Sequence, residues 1–104
     1  MGDMIDGMYR IAFTPAAVDD LGTLRKYDVQ RILAEVEKQL ADEPATLTRN
    51  RKQLRPNQLA EWELRIADFR VFYDIMVHES VVRIVAVGQK VGGQLFIHGE
   101  RYEL

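Results

Sequence analysis

The residues with chemical reach in this 104-residue chain gather in its second half. Glu61, Glu63 and Arg65 alternate along one stretch, and Arg70, Phe72 and Asp74 alternate along the next, with Ala67-Asp68 turning the chain between them. On paired antiparallel strands, side chains of matching parity become neighbours on one face. Lys90 lies just beyond the third apolar run, and Arg49, Arg51, Lys52 and Arg55 precede the first, with no acid across residues 49–56. Arginine and lysine can hold a phosphate and stabilise charge that develops during phosphodiester cleavage. A carboxylate or an imidazole can remove the proton of a ribose 2′-hydroxyl. Phe72 or Phe96 could stack on a base. The plainer alternative is a cross-strand ion-pair ladder above core aromatics, with residues 49–56 as a solvated loop.

Composition removes most other chemistry. There are no cysteines, so disulfides, thiolate nucleophiles and cysteine-ligated zinc are excluded. Two histidines, His78 and His98, do not make a histidine-rich metal site. His98 reads first as a surface or edge-strand residue. No Ser-His-Asp arrangement, P-loop, dinucleotide fingerprint, EF-hand or HExxH stretch is present, so neither a metal nor a cofactor is expected. The opening MGDMIDGMYR has no basic segment followed by an apolar one, and no apolar run is long enough for a membrane helix. A cytoplasmic protein without membrane contact is the expectation. The net charge of -2 conceals an asymmetry, with 9 acids against 5 bases up to residue 48 and 7 against 9 after it.

The elements that must position these side chains follow from periodicity. Residues 1–7 are expected to be a flexible N-terminus, and residues 8–104 a single domain. Tyr9, Ile11 and Phe13 alternate in a strand over residues 8–13. Thr14-Pro15 can cap and open a first helix to about Lys26. Asp28 is the expected cap of a second, whose stripe is Val29, Ile32, Leu33, Val36 and Leu40 and which Glu43-Pro44 ends. Residues 45–58 read as a loop, with one helical turn near Leu47. Three strands follow, over Leu59–Ile66, Phe69–His78 and Val81–Val87, with Gly88 ending the last. Leu95–Ile97 adds a short edge strand. The expected fold is α+β in two layers: an N-terminal strand, an α-helical hairpin, an antiparallel three-stranded meander and a short C-terminal strand.

The stretch WELRIADFRVFYDI, residues 62–75, resembles the central hairpin of the RelE/ParE family of bacterial type II toxins. YRIAF near the start, a leucine-rich helix pair, KQLRPN and then VVRIVAVGQK agree in order and spacing, so the resemblance spans about residues 9–98. The tail LFIHGERYEL is similar to a subset whose last element is a strand. The resemblance implies a small sheet with an N-terminal helical hairpin and a cognate antitoxin as partner. Operator DNA is then contacted only through the antitoxin complex. It also implies either ribosome-dependent cleavage of messenger RNA or, in the ParE branch, poisoning of DNA gyrase.

By position, Arg70 matches an arginine that contacts the scissile phosphate in RNA-cleaving members, and Lys90 a basic residue proposed to stabilise the transition state. Arg65 matches the arginine of the LR pair. Where the best-studied branch has lysines, this chain has Glu61 and Glu63; where that branch has a C-terminal tyrosine, it has Phe96, which can stack but cannot transfer a proton. The expected catalytic set is therefore Arg70 and Lys90, with Glu63 or Glu61 as base and His98 as acid. The expected RNA-binding set is Arg49, Arg51, Lys52, Arg55, Arg65, Phe72 and Phe96. Messenger RNA on the ribosome would be the target. The alternatives are a gyrase-directed toxin and an inactive relative that binds an antitoxin.

Overall fold

In the computed structural model, which describes residues 8–104, the chain runs β1 (Arg10–Phe13), α1 (Pro15–Gly22), α2 (Lys26–Leu40), β2 (Arg51–Gln53), β3 (Trp62–Ile66), β4 (Phe69–Met76), β5 (Val81–Val91), β6 (Gln94–Ile97) and β7 (Glu100–Tyr102). The expected flexible segment 1–7 lies outside the described residues.

The hairpin read from alternation is the centre of the sheet. Trp62, Leu64 and Ile66 of β3 pair with Tyr73, Val71 and Phe69 of β4, so one face is continuously apolar. Val82 and Ile84 of β5 extend that face, and α1 and α2 cover it with Ala17, Ile32, Val36 and Leu40. Burying this many aliphatic and aromatic side chains, each contributing roughly 1.5–3 kcal/mol, holds the two layers together. The Tyr73 ring stacks on Trp62 at a centroid distance of 6.0 Å, and its hydroxyl donates to the Pro44 carbonyl at 2.8 Å.

The sheet runs β2-β3-β4-β5-β6-β7, with β1 parallel beside β5. β5 is 11 residues long and shares its outer edge between two strands. β1 pairs with Val81–Ile84, and β6 pairs with Gln89–Val91. In the gap between them, α1 supplies polar partners. Asp20 accepts the Val87 N–H at 2.9 Å, and the Thr14 hydroxyl donates to the Val85 carbonyl at 3.3 Å. Opposite the gap, the β4–β5 register shifts between Phe72 and Tyr73, the signature of a bulge.

The α+β two-layer architecture expected from the sequence is the one observed, and several boundaries differ. α1 stops at Gly22 rather than near Lys26, because the Thr23 N–H and hydroxyl both turn back to the Asp20 carbonyl. Arg25, not Asp28, occupies the cap position of α2; Asp28 lies in its first turn, where a carboxylate complements the helix dipole. The stretch 45–58 contains the edge strand β2 instead of a helical turn. β3 begins at Trp62 rather than Leu59, since the Asn57 side chain takes the N–H groups of Leu59 and Ala60 into a turn. β4 ends at Met76 rather than His78. β5 runs through Gly88 rather than ending there.

The tail holds two strands, not one. The turns Gly92-Gly93 and His98-Gly99 have positive φ at both positions (60° and 81°, 55° and 79°), as two-residue hairpins of the primed type require. This hairpin covers the second face of the sheet with a small cluster of Ala60, Phe72, Ala86, Leu95 and Ile97. Among the described residues, no helix is long and apolar enough to cross a membrane.

Candidate functional site

Beside that second cluster, on the face turned away from the helices, lies a cavity of about 480 Å³. β2 and the segment after it contribute Lys52 and Arg55, β3 contributes Glu63 and Arg65, β4 contributes Arg70, β5 contributes Lys90, and β7 contributes Arg101 and Tyr102. Six cationic side chains and two carboxylates, Glu63 and Glu103, line it. The molecule as a whole carries -2, so positive charge is concentrated here against the overall balance.

The parity argument explains the concentration. Arg65 and Arg70 are direct cross-strand partners on this face. Like charges so placed repel, which a sheet tolerates when something else holds them. Arg70 is held closely: it is only 8% exposed. Its Nη1 donates to the carbonyls of Ala67 and Phe69, both at 2.9 Å, and its Nε lies 3.7 Å from a Glu63 oxygen. Burial pushes the guanidinium below its ordinary range, neighbouring Arg65 pushes the same way, and Glu63 and Asp68 oppose them. An arginine remains cationic through such shifts. Ala67, with φ 52°, is in the left-handed region at the β3–β4 turn, and Arg70 grips its carbonyl. The Lys90 N–H donates to the Asp68 carbonyl in the same turn at 2.7 Å, and the Lys90 side chain lines the cavity.

Of the expected site residues, the fold brings together Arg70, Lys90, Glu63, Arg65, Lys52 and Arg55. It does not bring in the others. Glu61 borders a separate shallow groove with Asp74 and Arg83. Arg49 and Arg51 face the end of α2, where Arg51 donates to the Glu43 carbonyl. Phe72 is fully buried and has no ring face to offer a base. Phe96 pairs with Gln89, one position out of phase with the Lys90–Leu95 pair, so it is directed to the opposite face from Lys90. His98 is occupied elsewhere, with Nδ1 2.7 Å from Asp20 Oδ1. Among the described residues, no group of His, Asp and Glu converges to hold a metal ion.

Arg101 and Tyr102 line the cavity and were not anticipated. The dipeptide His98-Gly99 between short runs was the available signal, since a residue followed by glycine marks a two-residue hairpin. A phenol thus stands in the site although position 96 carries none. The arrangement suits an anion with several charged oxygens: a buried, hydrogen-bonded guanidinium, the Lys90 ammonium, further cations around the rim, and two carboxylates, of which Glu63 lies beside Arg70 and can accept a proton.

Comparison with known proteins adds a family. A sequence model described as the ParE toxin of the type II toxin-antitoxin system, parDE, matches residues 11–90. The crystal structure of the toxin-antitoxin complex RelBE2 from Mycobacterium tuberculosis contains a similar chain, with 26% sequence identity and a TM-score of 0.65, covering 79% of this chain and 98% of that one. No curated protein matches.

Proposed function

The chain belongs to the ParE toxin family of type II toxin–antitoxin systems, and we propose that its toxicity is exerted through the cation-lined cavity on RNA phosphates. The observation that carries this reading is the gathering of six cations, one of them the buried and pre-positioned Arg70, on one cavity of a mildly acidic protein.

The chemistry is metal-independent transesterification. The Glu63 carboxylate takes the ribose 2′-hydroxyl proton as the 2′-oxygen attacks the adjacent phosphorus. Arg70 and Lys90 stabilise the charge that accumulates on the phosphoryl oxygens. The bond to the 5′-oxygen breaks, water protonates that oxygen, and the products are a 2′,3′-cyclic phosphate and a 5′-hydroxyl. Arg55, Arg65, Lys52 and Arg101 hold flanking phosphates. Messenger RNA in the ribosomal A site, already ordered, lowers the orientation demand on so small an enzyme. These targets place the protein in the cytoplasm.

A cognate antitoxin is the partner, as in the complex that contains the similar chain. An acidic or amphipathic segment of it complements the basic cavity, and operator DNA is reached only through that complex. Pull-down from the native host is expected to recover such a chain.

The test is induction of the wild type beside Arg70→Ala, with message 5′ ends mapped by primer extension. Discrete A-site cuts are expected in the wild type and none in Arg70→Ala. Growth arrest with intact messages would refute RNA cleavage. The second reading is a gyrase-directed toxin, favoured by the family match itself. It predicts DNA damage signalling on induction, and normal supercoiling by gyrase at saturating protein would remove it. Unimpaired growth on induction would point instead to an inactive antitoxin-binding relative.

A further inference from the structure

One contact links the two ends of the described chain. His98 Nδ1 is 2.7 Å from Oδ1 of Asp20, across 78 positions of sequence. Asp20 is 7% exposed, and its second oxygen accepts the Val87 N–H at 2.9 Å. Both carboxylate oxygens are therefore engaged, one by the body of the sheet and one by the imidazole. His98 occupies the first position of the β6–β7 turn with φ 55°, a left-handed conformation that disfavours a non-glycine residue and that something must hold.

The hairpin it belongs to has few backbone ties to the rest of the sheet. β6 pairs with β5 over Gln89–Val91 alone, and β7 pairs only with β6. Yet this hairpin supplies the cavity wall that carries Leu95, Arg101 and Tyr102.

We propose that the Asp20–His98 pair is a latch that holds the C-terminal hairpin where Arg101 and Tyr102 wall the cavity, so that His98 is a positioning residue acting through Arg101. Asp20 is the fixed half, built into the gap that α1 fills along β5. His98 is the releasable half, 39% exposed at its side chain. With the latch closed, the hairpin lies across Gly88, where β6 comes so near that an added Cβ would stand 2.7 Å from the Phe96 carbonyl oxygen. With it open, the three-residue β5–β6 pairing and the packing of Leu95 and Ile97 on Phe72 and Ala86 keep the hairpin on the sheet, but its turn end loses its anchor. Arg101 then no longer has a set position relative to Lys90 and Arg70. The consequence for RNA rests on the phosphate-binding reading above; the hold on the hairpin does not.

His98→Asn separates the latch from the turn, because asparagine tolerates the left-handed conformation but is too short to keep the imidazole's contact. Asp20→Asn retains an oxygen for Val87 and an amide for the imidazole, and serves as the conservative control. In amide hydrogen exchange on the whole chain without ligand, His98→Asn is expected to speed exchange at residues 94–102 by about tenfold, with β3 and β4 unchanged and Asp20→Asn close to wild type. Unchanged exchange at 94–102 in His98→Asn overturns the latch.

The second arm is titration of a fluorescein-labelled single-stranded RNA oligonucleotide at several salt concentrations. His98→Asn is expected to bind more weakly, with the slope of log K against log salt smaller by about 0.7, the contribution of one phosphate contact. Arg101→Ala should reproduce that loss, and the double variant should add nothing to it. If Arg101→Ala weakens binding and His98→Asn does not, the positioning role is overturned. If the wild type binds no RNA, the phosphate reading fails, and hydrogen exchange alone decides for or against the latch.

Discussion

Glu63 on β3 holds a carboxylate oxygen 3.7 Å from Nε of Arg70 on β4, with the two side chains 11% and 10% exposed. They are diagonal neighbours, since the direct partner of Glu63 is Phe72 and that of Arg70 is Arg65. The carboxylate thus offsets a repulsive pair of arginines and at the same time competes with any phosphate that approaches Arg70. A counter-charge of this kind stabilises the empty site and weakens the filled one.

Glu63→Gln keeps the shape and removes the charge. Affinity for a short RNA is expected to rise severalfold, while cleavage is lost if the carboxylate is the base. Stability should fall by about 1–3 kcal/mol, because Arg70 stays buried with less compensation. RNA titration beside urea unfolding separates the two effects. A loss of affinity would show that Glu63 orients Arg70 more than it competes for it.

Arg70→Lys is not conservative here. One guanidinium nitrogen, Nη1, donates to both the Ala67 and Phe69 carbonyls while Nε lies 3.7 Å from Glu63, and an ammonium, a single point charge, cannot serve both places at once. The variant should lose toxicity as fully as Arg70→Ala. The β3–β4 turn, where Ala67 has φ 52°, should also show faster hydrogen exchange. Retained toxicity in Arg70→Lys would mean that charge alone suffices.

Lys90→Ala isolates chemistry from folding. The fold uses the backbone N–H of this residue, which donates to Asp68 at 2.7 Å, and not its ammonium. Unfolding free energy is expected to stay within about 0.5 kcal/mol of wild type. Message cleavage and growth arrest should fall sharply. Full toxicity at unchanged stability would take Lys90 out of the working set.

What the sequence disclosed and what it hid divide along range of interaction. The β3–β4 hairpin was legible because Trp62–Ile66 and Phe69–Met76 alternate across a two-residue turn, and the same parity placed Glu63, Arg65 and Arg70 together. β2 was hidden, since Arg51-Lys52-Gln53 carries no apolar alternation; its pairing with Leu64, Glu63 and Trp62 is a tertiary fact. Gly88 looked like a strand end on propensity. It lies inside β5 because β6 passes too close for a side chain. His98 reads from the sequence as a surface group or an acid, and only the fold reveals Asp20 beside it. Phe96 lies on the face opposite Lys90 because the register of β6 is set by the Gly92-Gly93 turn, not by its own composition.

Gly88→Ala tests the close approach. The new methyl would meet the Phe96 carbonyl oxygen at 2.7 Å and Ile97 Cγ1 at 2.9 Å, and the first of these is backbone that cannot rotate away. A loss of about 1–3 kcal/mol is expected, read as a lower thermal midpoint. Gly22→Ala is the contrast, with nothing within 4 Å of the added carbon at the end of α1. It should be neutral or stabilising by up to about 1 kcal/mol. Equal effects at the two glycines would mean that β6 shifts freely away from β5.

Tyr73 sets an alkaline limit on stability. Its side chain is fully buried, and burial raises its ionisation well above the phenol's usual value of about 10, with nearby Arg51 opposing. The unfolded chain releases this proton near pH 10, while the folded chain keeps it to higher pH. In that window the folded state binds more protons than the unfolded one, so stability falls as pH rises. Below pH 10 the contribution is fully present. Tyr73→Phe removes the titrating group together with the hydrogen bond to the Pro44 carbonyl. At neutral pH it should cost about 0.5–1.5 kcal/mol, and above pH 10 its stability should decline less steeply than that of the wild type. The two curves of urea-unfolding free energy against pH are therefore expected to converge with increasing alkalinity. Parallel curves would mean that Tyr73 ionises in the folded protein as easily as in the unfolded chain, against its complete burial between Trp62 and the Pro44 carbonyl.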